Sequence, residues 1–474
     1  MNTIEWRLEG RYSPHSVEDV VLKYWKDRNV YRLVKDRNVE RTRKFNFIDG
    51  PPYPSGDVPH IGTAWNKSLK DAVLRYKRMQ GFRVYDQPGY DCHGLPIEVK
   101  VEQKLGVRVK REIEEKIGVD RFIAECRKLA LDNAAAMTKW FIDLGVFMDW
   151  ENPYLTLRNE YIEAAWWLVK KADEHGLLDK DTRIVHWCPR CSTTLAEYEI
   201  EYKELEDPSI YVKFPVVGQD KTYLVIWTTT PWTLPANTFV MIHPEAYYVK
   251  IRVGDETWVV AEERLNAFLD ETGIKEYRVV EKIKGSSLVG VRYTHPLRDI
   301  VPLQAELEQY HTVLPAPEFV TMYEGTGLVH SAPGHGFEDF TVVVRWGIKT
   351  IASPVDDEGR FTSEAGKYAG MFVRDANPII IQDLGQRNAL ISKTSITHKY
   401  PVCWRCKTPV FIRATQQWVI KVSKLKDKLQ EEVEKVNWIP EWALDRIKSM
   451  LENLQDWVVS RLSLIHISEP TRLG

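Results

Sequence analysis

Four of the six cysteines fall into two C-x-x-C pairs. Cys188 and Cys191 lie in HWCPRC, and Cys403 and Cys406 in YPVCWRC. Four thiolates make a closed tetrahedral Zn²⁺ site, which leaves no position open for catalysis, so the chemistry indicated is structural. The pairs stand far apart in the chain. That spacing fits a domain inserted between two antiparallel legs that a metal clips together. A redox pair, or two unrelated buried pairs, are the alternatives. Cys126 falls on a helical apolar stripe and is expected in a core. Cys92 shows no sign of nucleophilic use.

Three other segments carry groups that can do chemistry. GPPYPSGDVPHIGT, residues 50–63, lies between an expected strand and an expected helix. Such a loop aims backbone N–H groups and the positive helix end at the place where phosphate binds. There His60 could donate a hydrogen bond to charge developing on an α-phosphate during adenylation. Gly62 lets an adenine ring come close to the backbone. His-x-Gly alone is common in ordinary turns.

WTTTPWTLPAN, residues 227–237, sets three hydroxyls ahead of a proline at a strand end. A β-branched run chosen for strand propensity reads the same way. GTGLVHSAPGHGFED, residues 325–339, holds His330, His335 and an acidic pair in a Gly-rich turn region. By itself that suggests metal or general-base chemistry, or a satisfied structural histidine.

With GYDCHGLPIE at residues 89–98, these segments together resemble class I aminoacyl-tRNA synthetases of the Ile/Val/Leu group. The WTTTPW form is closest to the isoleucyl enzymes. Their HIGH signature stands here as His60-Ile61-Gly62-Thr63. Thr63 takes the last place, where a hydroxyl can bond phosphate but cannot carry a proton as imidazole does. The resemblance implies that Pro51 lines the isoleucine pocket and that Asp91 holds the amino acid's α-ammonium, a charge-assisted contact. An Asx turn is the plain alternative for Asp91. It further implies an editing pocket lined by Thr228, Thr229, Thr230 and Trp232. In that pocket Asp339 would hold the ammonium of a mischarged residue, and His330 would touch its side chain or the terminal adenosine. Hydrolysis would use a positioned water. Zinc at the four cysteines, ATP with Mg²⁺ as substrate, isoleucine and tRNA(Ile) complete the implied set, and a monomer is expected.

The elements that must position these groups follow from periodicity. Lys44 to Ile48 (KFNFI) and Phe82 to Asp86 (FRVYD) read as strands. The helix between them has Leu69, Ala72, Val73, Tyr76 and Met79 as an apolar stripe and Gly81 as its stop. Residues 119–175 are strongly helical. Phe122, Cys126, Leu129 and Ala130 form one stripe, and Met137, Trp140, Phe141 and Leu144 form another. Short β-rich segments follow, and after about residue 400 the texture turns helical again. The expected fold class is α/β: the first half of a Rossmann-like class I synthetase domain with an inserted β-rich editing domain and a zinc knuckle. The expected division is a helical lead-in over 1–43, the half-Rossmann domain over 44–185 and a zinc arm over 186–204. An editing domain over 205–395 and a return over 396–461 follow. Residues 462–474 match nothing in the family and are expected to be a foreign tail.

Composition excludes several classes. Apolar residues make up 44% and charged residues 28%, which suits a globular chain rather than a disordered one. Lys plus Arg is 65 against 67 for Asp plus Glu, so any RNA contact must use local patches. The longest apolar runs fall short of a membrane span, and a cytoplasmic location is expected. No KMSKS loop, second nucleotide-fold half or anticodon-binding segment is found, so the chain alone is expected to edit but not to aminoacylate. A free-standing deacylase, or a non-catalytic zinc and tRNA-binding module, is the alternative.

Overall fold

The computed structural model describes residues 13–37 and 40–460. Residues 1–12 and 38–39 of the expected lead-in, Arg461, and the expected foreign tail over 462–474 lie outside them. The chain divides into two compact units at His175/Gly176.

The first unit opens with helices α1 (Pro14–Asp27) and α2 (Val30–Arg37), then strand β1 (Lys44–Asn46), helix α3 (Ile61–Met79) and strand β2 (Arg83–Tyr85). β1 and β2 pair in parallel, Phe45 opposite Val84, so strand, loop, helix and strand form one βαβ crossover. β3 (Gly89–Tyr90), α4 (Leu95–Leu105), α5 (Val119–Asp143), β4 (Tyr154–Leu155) and α6 (Asn159–Glu174) follow. On α5, Phe122, Cys126, Ala130, Met137 and Phe141 are buried on one continuous face. Trp140 and Leu144, expected on the second stripe, are about half exposed, because they point off that face.

Helix α3 departs further from its pattern. It buries Lys67, Asp71 and Leu74, while Leu69, Val73, Tyr76 and Met79 are exposed. Charge decides this. Lys67 and Lys70 both bond to the buried Asp49 carboxylate, which also accepts the Gly89 N–H at 3.1 Å. Asp71 accepts the Phe147 N–H at 2.8 Å. These contacts turn the polar face inward, since a buried carboxylate must be paired. The apolar ridge stays exposed in this unit.

The second unit is β-rich. β5 (Leu178–Cys188) and β6 (Thr193–Leu195) lead to the long β7 (Ile200–Pro215) and β8 (Thr222–Thr228). β9 (Phe239–Ile242), β10 (Tyr247–Val253), β11 (Glu256–Ala261), α7 (Leu265–Thr272), β12 (Arg278–Lys284), α8 (Pro302–Glu306) and β13 (Val313–Pro315) come next. Then β14 (Leu328–Ser331), α9 (Phe337–Trp346), α10 (Val373–Gln386), β15 (Leu390–Cys403), β16 (Phe411–Ile420), α11 (Lys426–Glu434), α12 (Ala443–Glu452) and β17 (Trp457–Val458) complete it.

The main sheet runs β12-β10-β11-β8-β14-β9-β13, with β7 joined to both β8 and β15. β7 and β15 form one antiparallel pair of legs, from Leu390 opposite Val212 to Cys403 opposite Ile200. β5 and β16 form another, from Phe411 opposite Trp187 to Ile420 opposite Leu178. The expected helical return after residue 400 is thus corrected: a strand, β16, precedes α11 and α12. β5 starts the second unit earlier than the expected boundary at 185, because it ladders onto β16 from Leu178 to Trp187. No helix among the described residues is long and apolar enough to cross a membrane.

Candidate functional site

In the first unit, His60 caps the start of α3. Its Nδ1 accepts the Gly62 N–H at 3.0 Å, and its carbonyl accepts the Thr63 and Ala64 N–H groups at 2.8 and 3.0 Å. With Nδ1 as the acceptor, a neutral ring carries its proton on Nε2 and keeps a donor there. His60 and Gly62 are exposed and Thr63 is half-buried. The loop therefore offers a helix N-terminus plus one ring donor, the equipment of an anion site.

The Asp91 N–H bonds to the Pro52 carbonyl at 3.0 Å, which ties the Asp91 loop to the Pro51–Pro52 step. The Asp91 carboxylate accepts the His93 N–H at 3.4 Å, the Asx contact that the sequence left open. Burial raises its pKa, against hydrogen bonds from His93, Tyr53 and Thr156 that lower it. Cys92 is buried, and burial pushes its thiol up to about 11, so it stays protonated and unreactive at neutral pH.

The four paired cysteines meet in the second unit. Their sulfurs all lie within 4.8 Å of one another, with Cys188 Sγ 3.4 Å from Cys406 Sγ, and none forms a disulfide. Cys188 ends β5 and Cys403 ends β15, so both pairs of legs bring their ends to this cluster. Tetrahedral zinc with thiolate bonds near 2.3 Å holds its sulfurs roughly 3.8 Å apart, so donor set and spacing both fit such an ion. The sulfurs of Cys191, Cys403 and Cys406 hold the Cys188 thiol far above its ordinary pKa, a penalty a cation among them reverses.

A cavity of about 290 Å³ opens at the end of β8. Pro231 has no N–H to continue the ladder, and the chain turns into a short 3₁₀ helix over Pro231–Ala236. Thr228, Thr229, Thr230 and Thr233 line one wall; His330, His335 and Asp339 line another. Thr228 Oγ1 accepts the Thr230 N–H at 3.1 Å, and Thr233 Oγ1 donates to the Thr230 carbonyl at 2.8 Å.

His330 sits on β14, and both its ring nitrogens are engaged. Asn237 Nδ2 lies 2.9 Å from Nδ1 and also donates to the Phe239 carbonyl at 3.1 Å, while Asn237 Oδ1 accepts the Tyr293 hydroxyl at 2.6 Å. That orients the amide, makes Nδ1 an acceptor, and leaves the proton on Nε2 to donate to Thr233 Oγ1 at 2.8 Å. Burial holds the ring down to about 3, so it is neutral.

Asp339 lies in the first turn of α9. Its carboxylate accepts the Ser331 hydroxyl at 2.9 Å and the Ala332 N–H at 3.2 Å. Burial outweighs these bonds and pushes its pKa up to about 6. Gly336 makes the fold-back possible, since a Cβ there would stand 2.2 Å from Asp339 Oδ2.

The cavity thus unites a threonine run, a neutral histidine and a carboxylate, as two segments of the sequence suggested. One expected residue is absent from its lining. Trp232 is buried in the core behind His335, with ring centroids 5.1 Å apart, and it also meets Phe411 of β16 edge-on at 6.1 Å. The expectation that it lines the pocket is corrected: the 3₁₀ turn points Thr233, not Trp232, at the opening.

A family profile described as "tRNA synthetases class I (I, L, M and V)" matches residues 20–464. The chain belongs to this family. A relative from Sulfolobus acidocaldarius described as "Isoleucine--tRNA ligase" is 53% identical over 455 residues, which is 96% of this chain and 43% of the relative. Relatives of the same description from Pyrococcus furiosus and Archaeoglobus fulgidus are each 52% identical, over 95% and 96% of this chain and 43% and 44% of their own. This class I synthetase chain therefore spans less than half the length of these relatives.

Sequence reasoning on the synthetase chain missed Thr233 and His335 as members of the cavity, and Asn237 as the residue behind it that orients His330. Thr233 and Asn237 stand inside WTTTPWTLPAN and His335 inside GHG, so their segments were visible. Their partners, Tyr293 and Ile412, come from remote strands and turns. The Tyr293 contact yields an expectation of its own. Tyr293→Phe leaves Asn237 Oδ1 buried without a donor, which is expected to cost about 1–3 kcal/mol. Urea unfolding followed by fluorescence measures it; an unchanged midpoint and slope would show that the Asn237 contact contributes nothing.

Proposed function

We propose that the complete protein attaches isoleucine to tRNA(Ile) through isoleucyl-adenylate, with ATP and Mg²⁺. We propose further that its second unit hydrolyses mischarged Val-tRNA(Ile), and that this chain alone performs only the hydrolysis. The reading takes the enzyme to be cytoplasmic and monomeric. It is carried by one observation: a single cavity gathers Thr228, Thr229, Thr230, His330 and Asp339. The identity shared with ligases of that description supports the isoleucine assignment.

A second pocket has a physical reason. One methylene in an apolar pocket is worth about 1–3 kcal/mol, or about 10–200-fold, and isoleucine against valine is the well-known instance of that limit. A hydrolytic cavity that fits valine and excludes isoleucine multiplies the discrimination. In it the Asp339 carboxylate holds the ammonium of the mischarged residue, and the threonine hydroxyls orient the ester. The neutral ring of His330, saturated by Asn237 and Thr233, bounds the side-chain space and holds no mobile proton. A water attacks the ester, with no covalent enzyme intermediate. The four cysteines hold Zn²⁺, which would clip the legs that carry the module and take no part in the chemistry. In the first unit, His60, Gly62 and Thr63 serve ATP, and Pro51 and Asp91 serve isoleucine. The exposed apolar ridge of α3 supports the view that a further layer completes that site.

The test is to incubate the chain with Val-tRNA(Ile) and with Ile-tRNA(Ile), without ATP, and follow ester loss. The valyl ester is expected to disappear and the isoleucyl ester to persist, with no ATP–pyrophosphate exchange. Binding of tRNA without ester loss would instead mark a non-catalytic module, and exchange at a full enzyme's rate would overturn the division of labour.

A further inference from the structure

Two histidines line the cavity, and they differ in what they have left to offer. His330 has both ring nitrogens engaged. His335 has one: its Nδ1 meets the Ile412 carbonyl at 2.8 Å, so Nδ1 must carry the proton. Nε2 then holds only a lone pair. That nitrogen is buried and meets no donor among the described residues.

The ring is also held in place from several sides. It packs against that of Trp232 at an interplanar angle of 72°, the His335 N–H bonds to the Ala332 carbonyl at 2.7 Å, and the Gly334 carbonyl accepts the Ala414 N–H at 2.8 Å. Gly334 admits no side chain, since a Cβ would stand 2.0 Å from the Ala352 carbonyl oxygen. A fixed, buried acceptor with no donor is costly, and of the buried histidines whose Nε2 meets no donor among the described residues, His295, His311 and His335, His335 is the one in the cavity wall.

The reaction brings three kinds of donor: the substrate ammonium, a ribose hydroxyl and water. The ammonium is drawn to the Asp339 carboxylate, because a charge-assisted bond outweighs one to a neutral ring. The ribose hydroxyl belongs to the tRNA end and arrives bonded to its own ester neighbour. Water is the remaining donor, and the one that hydrolysis consumes. Resting on the deacylation reading above, we infer that His335 is a catalytic residue of this cavity, whose Nε2 accepts a hydrogen bond from the attacking water and turns its lone pair toward the ester carbonyl. The water oxygen bonds to the carbonyl carbon and the ester C–O bond breaks. The ribose oxygen takes up the proton that the water gives up, leaving free valine and tRNA. Burial holds the ring neutral near pH 7, with its pKa lowered to about 4, so the lone pair is present throughout the working range.

Two substitutions separate the roles of the two nitrogens. His335→Asn places an amide N–H where Nδ1 was, keeping the Ile412 bond and removing the acceptor. His335→Gln places an amide oxygen near the Nε2 position. His335→Asn is expected to lower kcat for Val-tRNA(Ile) hydrolysis about tenfold to a hundredfold, with KM within about twofold and an unchanged thermal melt. His335→Gln is expected to recover part of that loss. A wild-type kcat in His335→Asn, or a rise in KM alone, overturns the inference, the latter by placing the ring on the tRNA rather than the water. On the wild-type chain, nitrogen NMR of the ring needs no variant to fold: Nε2 is expected unprotonated at neutral pH, and a protonated Nε2 sinks the proposal. A wild-type chain that leaves Val-tRNA(Ile) intact sinks the deacylation reading itself, which is a different result from an active chain indifferent to residue 335.

Discussion

The purified chain is expected to carry one zinc ion per molecule, and Cys403→Ser is expected to lose it and to lower the melting midpoint of the second unit. The argument is geometric. Cys188 ends one leg of the β5–β16 pair and Cys191 follows it, while Cys403 ends one leg of the β7–β15 pair and Cys406 follows it. Without the ion, four closely packed sulfurs, three of them on buried cysteines, press on one another with nothing to balance them once any ionises. In isolated zinc modules the metal supplies about 10–16 kcal/mol of apparent binding energy, all of it folding energy. Here long strand ladders hold the legs beside the metal, so the loss is smaller, and at about 2–4 °C per kcal/mol it is expected to lower the melting midpoint by several degrees or more. Because the ligands are thiolates, protons compete with the ion, and zinc is expected to leave as pH falls. Metal analysis together with a thermal melt of wild type and Cys403→Ser checks this. A metal-free chain that melts as high as the metal-loaded one would show that the sulfurs pack without a clip.

Spacing made that cluster legible, because ligand geometry is written locally in C-x-x-C. The βαβ crossover was equally legible from KFNFI, FRVYD and the loop between them. What the sequence could not carry was the choice of partner. The apolar ridge of α3, with Leu69, Val73 and Tyr76, announced a buried face, yet Asp49 drew Lys67 inward and left the ridge exposed. Trp232 stood in a segment assigned to the pocket, but Phe411 of β16, far along the chain, received its ring. The two histidines of HSAPGHG looked alike as letters. Asn237 saturates one and Ile412 leaves the other half free, and both facts exist only once the strands have come together. Periodicity reports that a face wants cover or that a donor is present; tertiary contact decides what meets it.

Asp339→Asn is expected to reduce kcat/KM for Val-tRNA(Ile) hydrolysis by about a hundredfold or more, since loss of one side of a charge pair costs about 2–5 kcal/mol. The pH dependence gives the sharper test. Burial raises the Asp339 carboxyl to about 6, against hydrogen bonds from Ser331 and Ala332 that favour the charged form. Only the carboxylate can hold an ammonium. Hydrolysis by the wild-type chain should therefore fall as pH drops through about 6, while the asparagine variant, already slow, should show no such step. Stability must move the other way. A carboxyl whose folded pKa lies above its unfolded value of about 3.9 gives the fold an advantage while protonated, and that advantage drains away as pH rises from about 4 to about 6. A carboxylate ionised at neutral pH is thus a net burden on the fold, which the Ser331 hydroxyl and the Ala332 N–H offset only in part. A rate that stays flat from pH 5 to pH 8, or an asparagine variant with full activity, would remove Asp339 from the ammonium site and leave the cavity without its charged anchor.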